Sequence, residues 1–116
     1  GVREPGIRLP NRESAYVPEQ KLEGYLLSEN HPVGRAKALL LRGLGYDDTN
    51  VDLLEQDLIA VAHDQLVAEV IVSEYGVKYV IDGVLQTPSG SALQLRTVWI
   101  IDRSEERPRF VTAYPV

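Results

Sequence analysis

VAEVIVSEYGVKYVIDGVLQTPSGSALQLRTVWIIDRSEERPRFVTAYP, residues 67–115, decides the fold. Val, Ile, Tyr and Thr recur there with a period of two, and turn residues close each run. The alternation predicts four strands over 67–74, 77–86, 91–102 and 109–115. Gly76 marks the first tight turn, Pro88, Ser89 and Gly90 the second, and Ser104 to Pro108 the third. Gly83 reads as a bulge inside the second strand. Connections this short favour an antiparallel meander.

Upstream of residue 67 the period lengthens to that of a helix. Asn50 is a suitable N-cap for a helix ending near His63, with Asp52 in its first turn and Val51, Leu54, Leu58, Val61 and Ala62 on its apolar face. A second helix over 32–44 begins at Pro32, a good first helical residue, and is closed by Gly43 and Gly45. Its apolar stripe reads as Val33, Ala36, Leu40 and Leu44, flanked by Leu39 and Leu41, with Arg35 and Arg42 on the far side. Residues 18–28 form a shorter amphipathic helix from Pro18, with Leu22, Tyr25 and Leu26 inward and Gly24 weakening it. Residues 1–17 lack periodicity and carry Pro5, Gly6 and Pro10. They read as an arm with one short extended piece at Ile7–Leu9. The expected architecture is α+β, one domain of 1–116: three N-terminal helices (18–63) on one face of a four-stranded antiparallel meander sheet (67–115).

Composition excludes several classes. With no cysteine among 116 residues there is no disulfide framework, no thiolate nucleophile and no Cys-based metal site. No apolar run approaches the ~20 residues that span a bilayer, and no signal-like segment opens the chain. The expectations are no membrane contact and a cytoplasmic protein, a secreted toxin domain being the alternative. P-loop, GxGxxG, His-x-x-x-His and G-x-S-x-G elements are absent, and the acids of 47–57 do not match a calcium loop. No metal or other cofactor is expected. The net charge is −5, yet residues 47–74 hold eight acids and no Lys or Arg, leaving +3 on the rest. Such polarisation permits a basic face on an acidic protein.

Lys37 is the most informative polar residue. It projects about 40° from Val33, within the core-facing stripe. Two readings are open. Its stem lies along apolar surface and the ammonium escapes to solvent, or the head enters a polar cleft between helix and sheet and binds an anion. His31, at the same helix's N-terminus, is either a capping residue or a general base beside a bound phosphate. His63 fits a purely structural role near the end of the third helix. In the sheet, Lys78 and Asp82 share a face, and Arg96 projects to the same side if the second and third strands are neighbours. A cross-strand ion pair with Asp82 is the structural alternative to a functional role for Arg96. Phe110, Thr112 and Tyr114 share a face by simple alternation. Thr112 and Tyr114 supply donors for a phosphate, or simply fit a strand.

Four stretches, LPNRESAYV (9–17), HPVGRAKALLLRGLGY (31–46), YGVKYVIDGVLQTPSGSALQLRTVWII (75–101) and PRFVTAYPV (108–116), resemble a small bacterial domain family of unknown function. The resemblance runs from about Leu9 to Val116. More loosely, helices followed by a four-stranded meander ending in VTAYP are similar to the Barnase–EndoU–RelE-like ribonucleases, which include toxin domains. That resemblance implies metal-independent RNA cleavage by attack of the 2′-hydroxyl on the adjacent phosphate. The residues implied are His31 as base, Lys37 and Arg96 for phosphate charge, and Thr112 and Tyr114 for orientation. Arg35 and Lys78 are read as RNA contacts. The expected partners are RNA and a cognate antitoxin or immunity protein, with a homodimer through a sheet edge as a further option. The rival reading is a non-catalytic interaction module of an operon-encoded pair.

Overall fold

A computed structural model describes residues 7–30 and 35–116. The fold is α+β. The helices are α1 (Glu19–Lys21), which runs on into a π-helical turn over Leu22–Leu26, then α2 (Arg35–Gly43) and α3 (Val51–Asp64). The strands are β1 (Val67–Ser73), β2 (Gly76–Gln86), β3 (Ala92–Asp102) and β4 (Arg109–Pro115). They pair in sequence order, every pair antiparallel. No described helix is long and apolar enough to cross a membrane.

The core forms where Leu22, Leu26, Leu41, Tyr46, Leu54 and Leu58 of the helical half meet Ile81, Leu85, Leu95, Trp99, Phe110 and Ala113 of the sheet. Each large apolar side chain removed from water contributes about 1.5–3 kcal/mol. Trp99 and Phe110 meet edge to face, ring centroids 5.4 Å apart. Thr97 is fully buried among them and satisfied on both sides: its hydroxyl donates to the Ile81 carbonyl (2.7 Å) and accepts from the Trp99 indole N–H (2.8 Å).

The strands lie where alternation put them, and the differences elsewhere have local causes. The first helix is not continuously α. The Leu27 N–H bonds the Leu22 carbonyl (2.8 Å) five residues back, and this wider turn seats Leu26 and Leu27 together in the core. The apolar face of α2 is rotated from the expected stripe. Ala38 and Leu41 are buried, whereas Ala36, Leu39 and Leu40 are exposed. Three consecutive leucines fit more than one helical phase, so the periodicity was ambiguous; Val33 lies outside the described residues. Arg42, expected on the far side, is half-buried, and its guanidinium donates to the Leu27 carbonyl (2.7 Å) and to Asp48 (3.0 Å). The helix closes as the glycines indicated. Gly45 takes the left-handed conformation (φ 104°) while Tyr46 N–H bonds the Leu41 carbonyl and Gly45 N–H the Arg42 carbonyl.

Asn50 occupies the N-cap position of α3 as expected, but its side chain makes no capping bond. Its side chain turns back, accepting from Asp47 N–H (2.7 Å) and donating to the Gly45 carbonyl (2.8 Å), so it fastens the α2–α3 loop. Gly83 is not a bulge. A Cβ there would stand 2.7 Å from Val61 Cγ1, so its role is the close approach of α3 to β2. The bulges lie instead near Ala68, between β1 and β2, and at Val111, between β3 and β4.

Residues 9–17 of the N-terminal arm are part of the packed structure, and residues 1–6 lie outside the described residues. Leu9, Ala15 and Val17 are buried, and Tyr16 forms a parallel bridge to Arg109. Tyr16 N–H bonds the Pro108 carbonyl, and Phe110 N–H bonds the Tyr16 carbonyl, both at 3.0 Å.

Candidate functional site

The bulge at Val111 builds the site. Val98 pairs with Thr112, whereas the next residue, Trp99, pairs with Phe110, so Val111 is the extra residue. Phe110 therefore falls on the core side with Trp99, and Thr112 and Tyr114 fall on the opposite side with Arg96. Plain alternation put all three on one face; the inserted residue separates them. Pairing also sets Asp82, Arg96 and Tyr114 in one row across β2, β3 and β4.

Lys37 comes from α2 to the outer edge of β4. Its stem lines an apolar cavity with Leu26, Leu41, Leu95, Ala113 and Pro115. Its ammonium finds polar partners there. Nζ donates to Tyr25 Oη (2.6 Å) and to Thr112 Oγ1 (3.0 Å), and those two oxygens lie 2.9 Å apart. The same ammonium stands 5.0 Å from the centre of the Tyr25 ring and 5.9 Å from that of Tyr114. Ala113 and Pro115 face the core while Thr112 and Tyr114 face away, so Lys37 reaches across the strand edge from one side of the sheet to the other. Each of the two sequence readings holds in part: the stem lies along apolar surface, and the head meets polar partners from helix and strand.

Tyr25 was read as a core aromatic, and it is the site residue that sequence reasoning missed. Lys21, one helical turn earlier, places its ammonium 5.1 Å from the same ring. A Lys four residues before a Tyr on an amphipathic stripe was the available signal. Burial raises the phenol's pKa, but hydrogen bonds with Lys37 and Thr112 and the charges of Lys37 and Lys21 outweigh it and leave Tyr25 below its ordinary value.

Arg96 makes the cross-strand ion pair anticipated as its structural role. Nε and Nη2 meet the two Asp82 oxygens at 2.8 and 2.9 Å. The Asp82 hydrogen bond and charge, followed by Tyr114, hold the guanidinium in its charged form more firmly than usual. Tyr114 thus neighbours both cations: the Lys37 ammonium stands 5.9 Å from its ring centre, and Arg96 is its ladder partner on β3. Lys78 shares the Arg96 face but pairs with Ile100, four ladder positions away, roughly 13 Å at the usual rise per residue. Arg35, the first residue of α2, is exposed. The structure thus brings Lys37 and Thr112 to Tyr25, with Tyr114 near the Lys37 ammonium and Arg96 paired with Tyr114 on the ladder, whereas Lys78 lies further along the sheet. His31 lies outside the described residues. His63 is exposed at the end of α3, paired with Asp64.

A chain of this fold occurs in a contact-dependent growth inhibition toxin–immunity protein complex from Klebsiella pneumoniae 342. It aligns with a TM-score of 0.70 at 19% identity, covering 90% of the present chain and 95% of its own. No match to a curated protein sequence was found. The expectation of a family of unknown function is met: a family model matches residues 8–116, nearly the whole chain, and the protein belongs to the family described as domain of unknown function DUF6883.

Proposed function

We propose that this domain is a toxin-like, metal-independent ribonuclease that cleaves RNA by transesterification. The supporting observation is the turn of the Lys37 ammonium across the edge of β4 to a polar cluster with Tyr25, Thr112 and Tyr114, with Arg96 beyond Tyr114. A fold used in a toxin–immunity pair adds to that reading. In the reaction the 2′-oxygen bonds to phosphorus and the bond to the 5′-oxygen breaks, giving a 2′,3′-cyclic phosphate and a 5′-hydroxyl. Negative charge grows on the non-bridging oxygens of the pentacoordinate phosphate. An ammonium has three N–H donors; two on Lys37 are spent on Tyr25 and Thr112, and the third is available to such an oxygen. The Arg96 fork, anchored by Asp82, supplies the second cation. Thr112 and Tyr114 orient the phosphate, and Arg35 and Lys78 bind flanking backbone. His31 is assigned the base. The natural partner on this reading is an immunity protein or antitoxin that covers the site.

Total RNA incubated with purified protein, with and without EDTA, tests the proposal. Cleavage is expected in both, with 5′-hydroxyl and cyclic-phosphate ends, and Lys37→Ala should lower it by at least about 100-fold, the scale of one lost electrostatic donor. RNA left intact at high enzyme excess overturns the proposal. It leaves the second reading, a protein-binding module, which is favoured by the exposed apolar edge at Val70, Ile71, Val72 and Tyr75.

A further inference from the structure

We propose that Tyr25 is the general acid of this site, the group that protonates the departing 5′-oxygen of RNA. The inference rests on the ribonuclease reading and extends it to a residue that reading did not require. An ammonium can only donate, so both Tyr25 Oη and Thr112 Oγ1 accept from Lys37. With its oxygen accepting from Lys37, the Thr112 hydroxyl can turn its hydrogen to Tyr25 Oη, 2.9 Å away. Tyr25 Oη is then held by two donors, and two ammonium groups, Lys37 and Lys21, stand about 5 Å from its ring centre. All four interactions strengthen as negative charge develops on Oη. That is the requirement for a proton donor, whose conjugate base must be stabilised while the proton leaves.

The arrangement also suits the ionisation state. An ordinary phenol is protonated at neutral pH, and a pKa moved below its ordinary value makes it a better proton donor. Among the described residues, the charges acting on Tyr25 are Lys37 from α2 and Lys21 from α1. From β4 it meets the neutral Thr112, with Tyr114 beyond the Lys37 ammonium. The protons balance. The 2′-hydroxyl gives its proton to the base as the 2′-oxygen bonds to phosphorus. The 5′-oxygen leaves with the P–O electron pair and takes the Tyr25 proton. Solvent then returns a proton to the phenolate and accepts one from the base.

The test compares two substrates, the dinucleotide UpA and uridine 3′-(4-nitrophenyl phosphate), whose leaving group needs no proton. Tyr25→Phe keeps the ring beneath both ammonium groups and removes the hydroxyl, and with it the proton and the oxygen that Lys37 and Thr112 bond. It is expected to lower kcat on UpA by about 100-fold or more, to leave kcat on the nitrophenyl ester within about threefold, and to abolish the alkaline fall of the pH–rate profile. Equal loss on both substrates, or no loss on either, overturns the assignment while leaving the ribonuclease reading in place. A wild-type protein inert on both substrates and on total RNA overturns both readings. Should Tyr25→Phe fail to fold, Thr112→Val decides. Removing one donor to Oη must move the alkaline limb of the UpA profile to higher pH, and an unmoved limb refutes the proposal.

Discussion

Lys37 shows what a single residue's position reveals and what it conceals. A cation on the inner half of an amphipathic helix must find polar partners or leave the core, so the sequence alone flagged it. Its partners were not legible. Tyr25 sits on a spacing shared by every core aromatic, and only tertiary packing distinguishes a phenol that touches an ammonium from one that touches leucines. Thr97 is the converse case. It looked like any strand threonine, yet its hydroxyl links the Ile81 carbonyl to the Trp99 indole at the centre of the core. Thr97→Val keeps the shape and removes both bonds. It is expected to cost about 1–3 kcal/mol, the penalty for leaving buried polar groups unpaired. Chemical denaturation of the two proteins, with Trp99 fluorescence as the probe, measures it.

At the scale of elements, strands were easier to read than helices. Period-two alternation fixes which residues face the core, and a slip by one would turn every apolar side chain to water. Predicted strand limits therefore agree with the observed ones to within a residue or so. Helix phase in α2 was harder, because leucines at 39, 40 and 41 allow several faces inward. The Val111 bulge was invisible too, since nothing in RFVTAYP distinguishes an inserted residue from a paired one. Yet that bulge separates Phe110 from Thr112 and Tyr114 and so places the site. Gly83 was singled out correctly but for the wrong reason. It admits α3 onto β2, where any side chain would overlap Val61. Gly83→Ala is expected to destabilise the protein by about 1–3 kcal/mol through overpacking. Val61→Ala alone also destabilises, by leaving a cavity. The double variant should lose clearly less than the sum, because the new methyl enters the space vacated by Val61. Thermal melts of the four proteins give the coupling.

The whole molecule divides its charge. The acidic stretch from Asp47 to Glu74 takes in α3 and β1, while Lys21, Lys37 and Arg96 gather toward β4 at the opposite edge of the sheet. The proposed RNA site on a protein of net charge −5 depends on this separation. One ion pair also ties the site to pH. The Arg96 hydrogen bond, opposed in part by burial and helped by the guanidinium charge, holds the Asp82 carboxyl below its ordinary value. Its folded pKa is thus depressed. The resulting stability is present above the ordinary carboxylate range, near pH 4, and is lost as pH falls through the folded value. Both partners are more than a third exposed, so the contribution is under about 1 kcal/mol. Asp82→Asn should flatten the dependence of melting temperature on pH below about pH 4 and change little near neutrality, as a series of thermal melts across pH would show.

The seam between Tyr16 and the start of β4 has a consequence for how the chain comes into being. Residues that precede α1 are stitched to the last strand of the sheet, so Leu9 and Val17 cannot take their seats until β4 has been synthesised. The nascent domain must therefore wait, partly unfinished, until β4 has emerged from the ribosome, and the Lys37 pocket, which borrows one wall from that strand, is assembled only then.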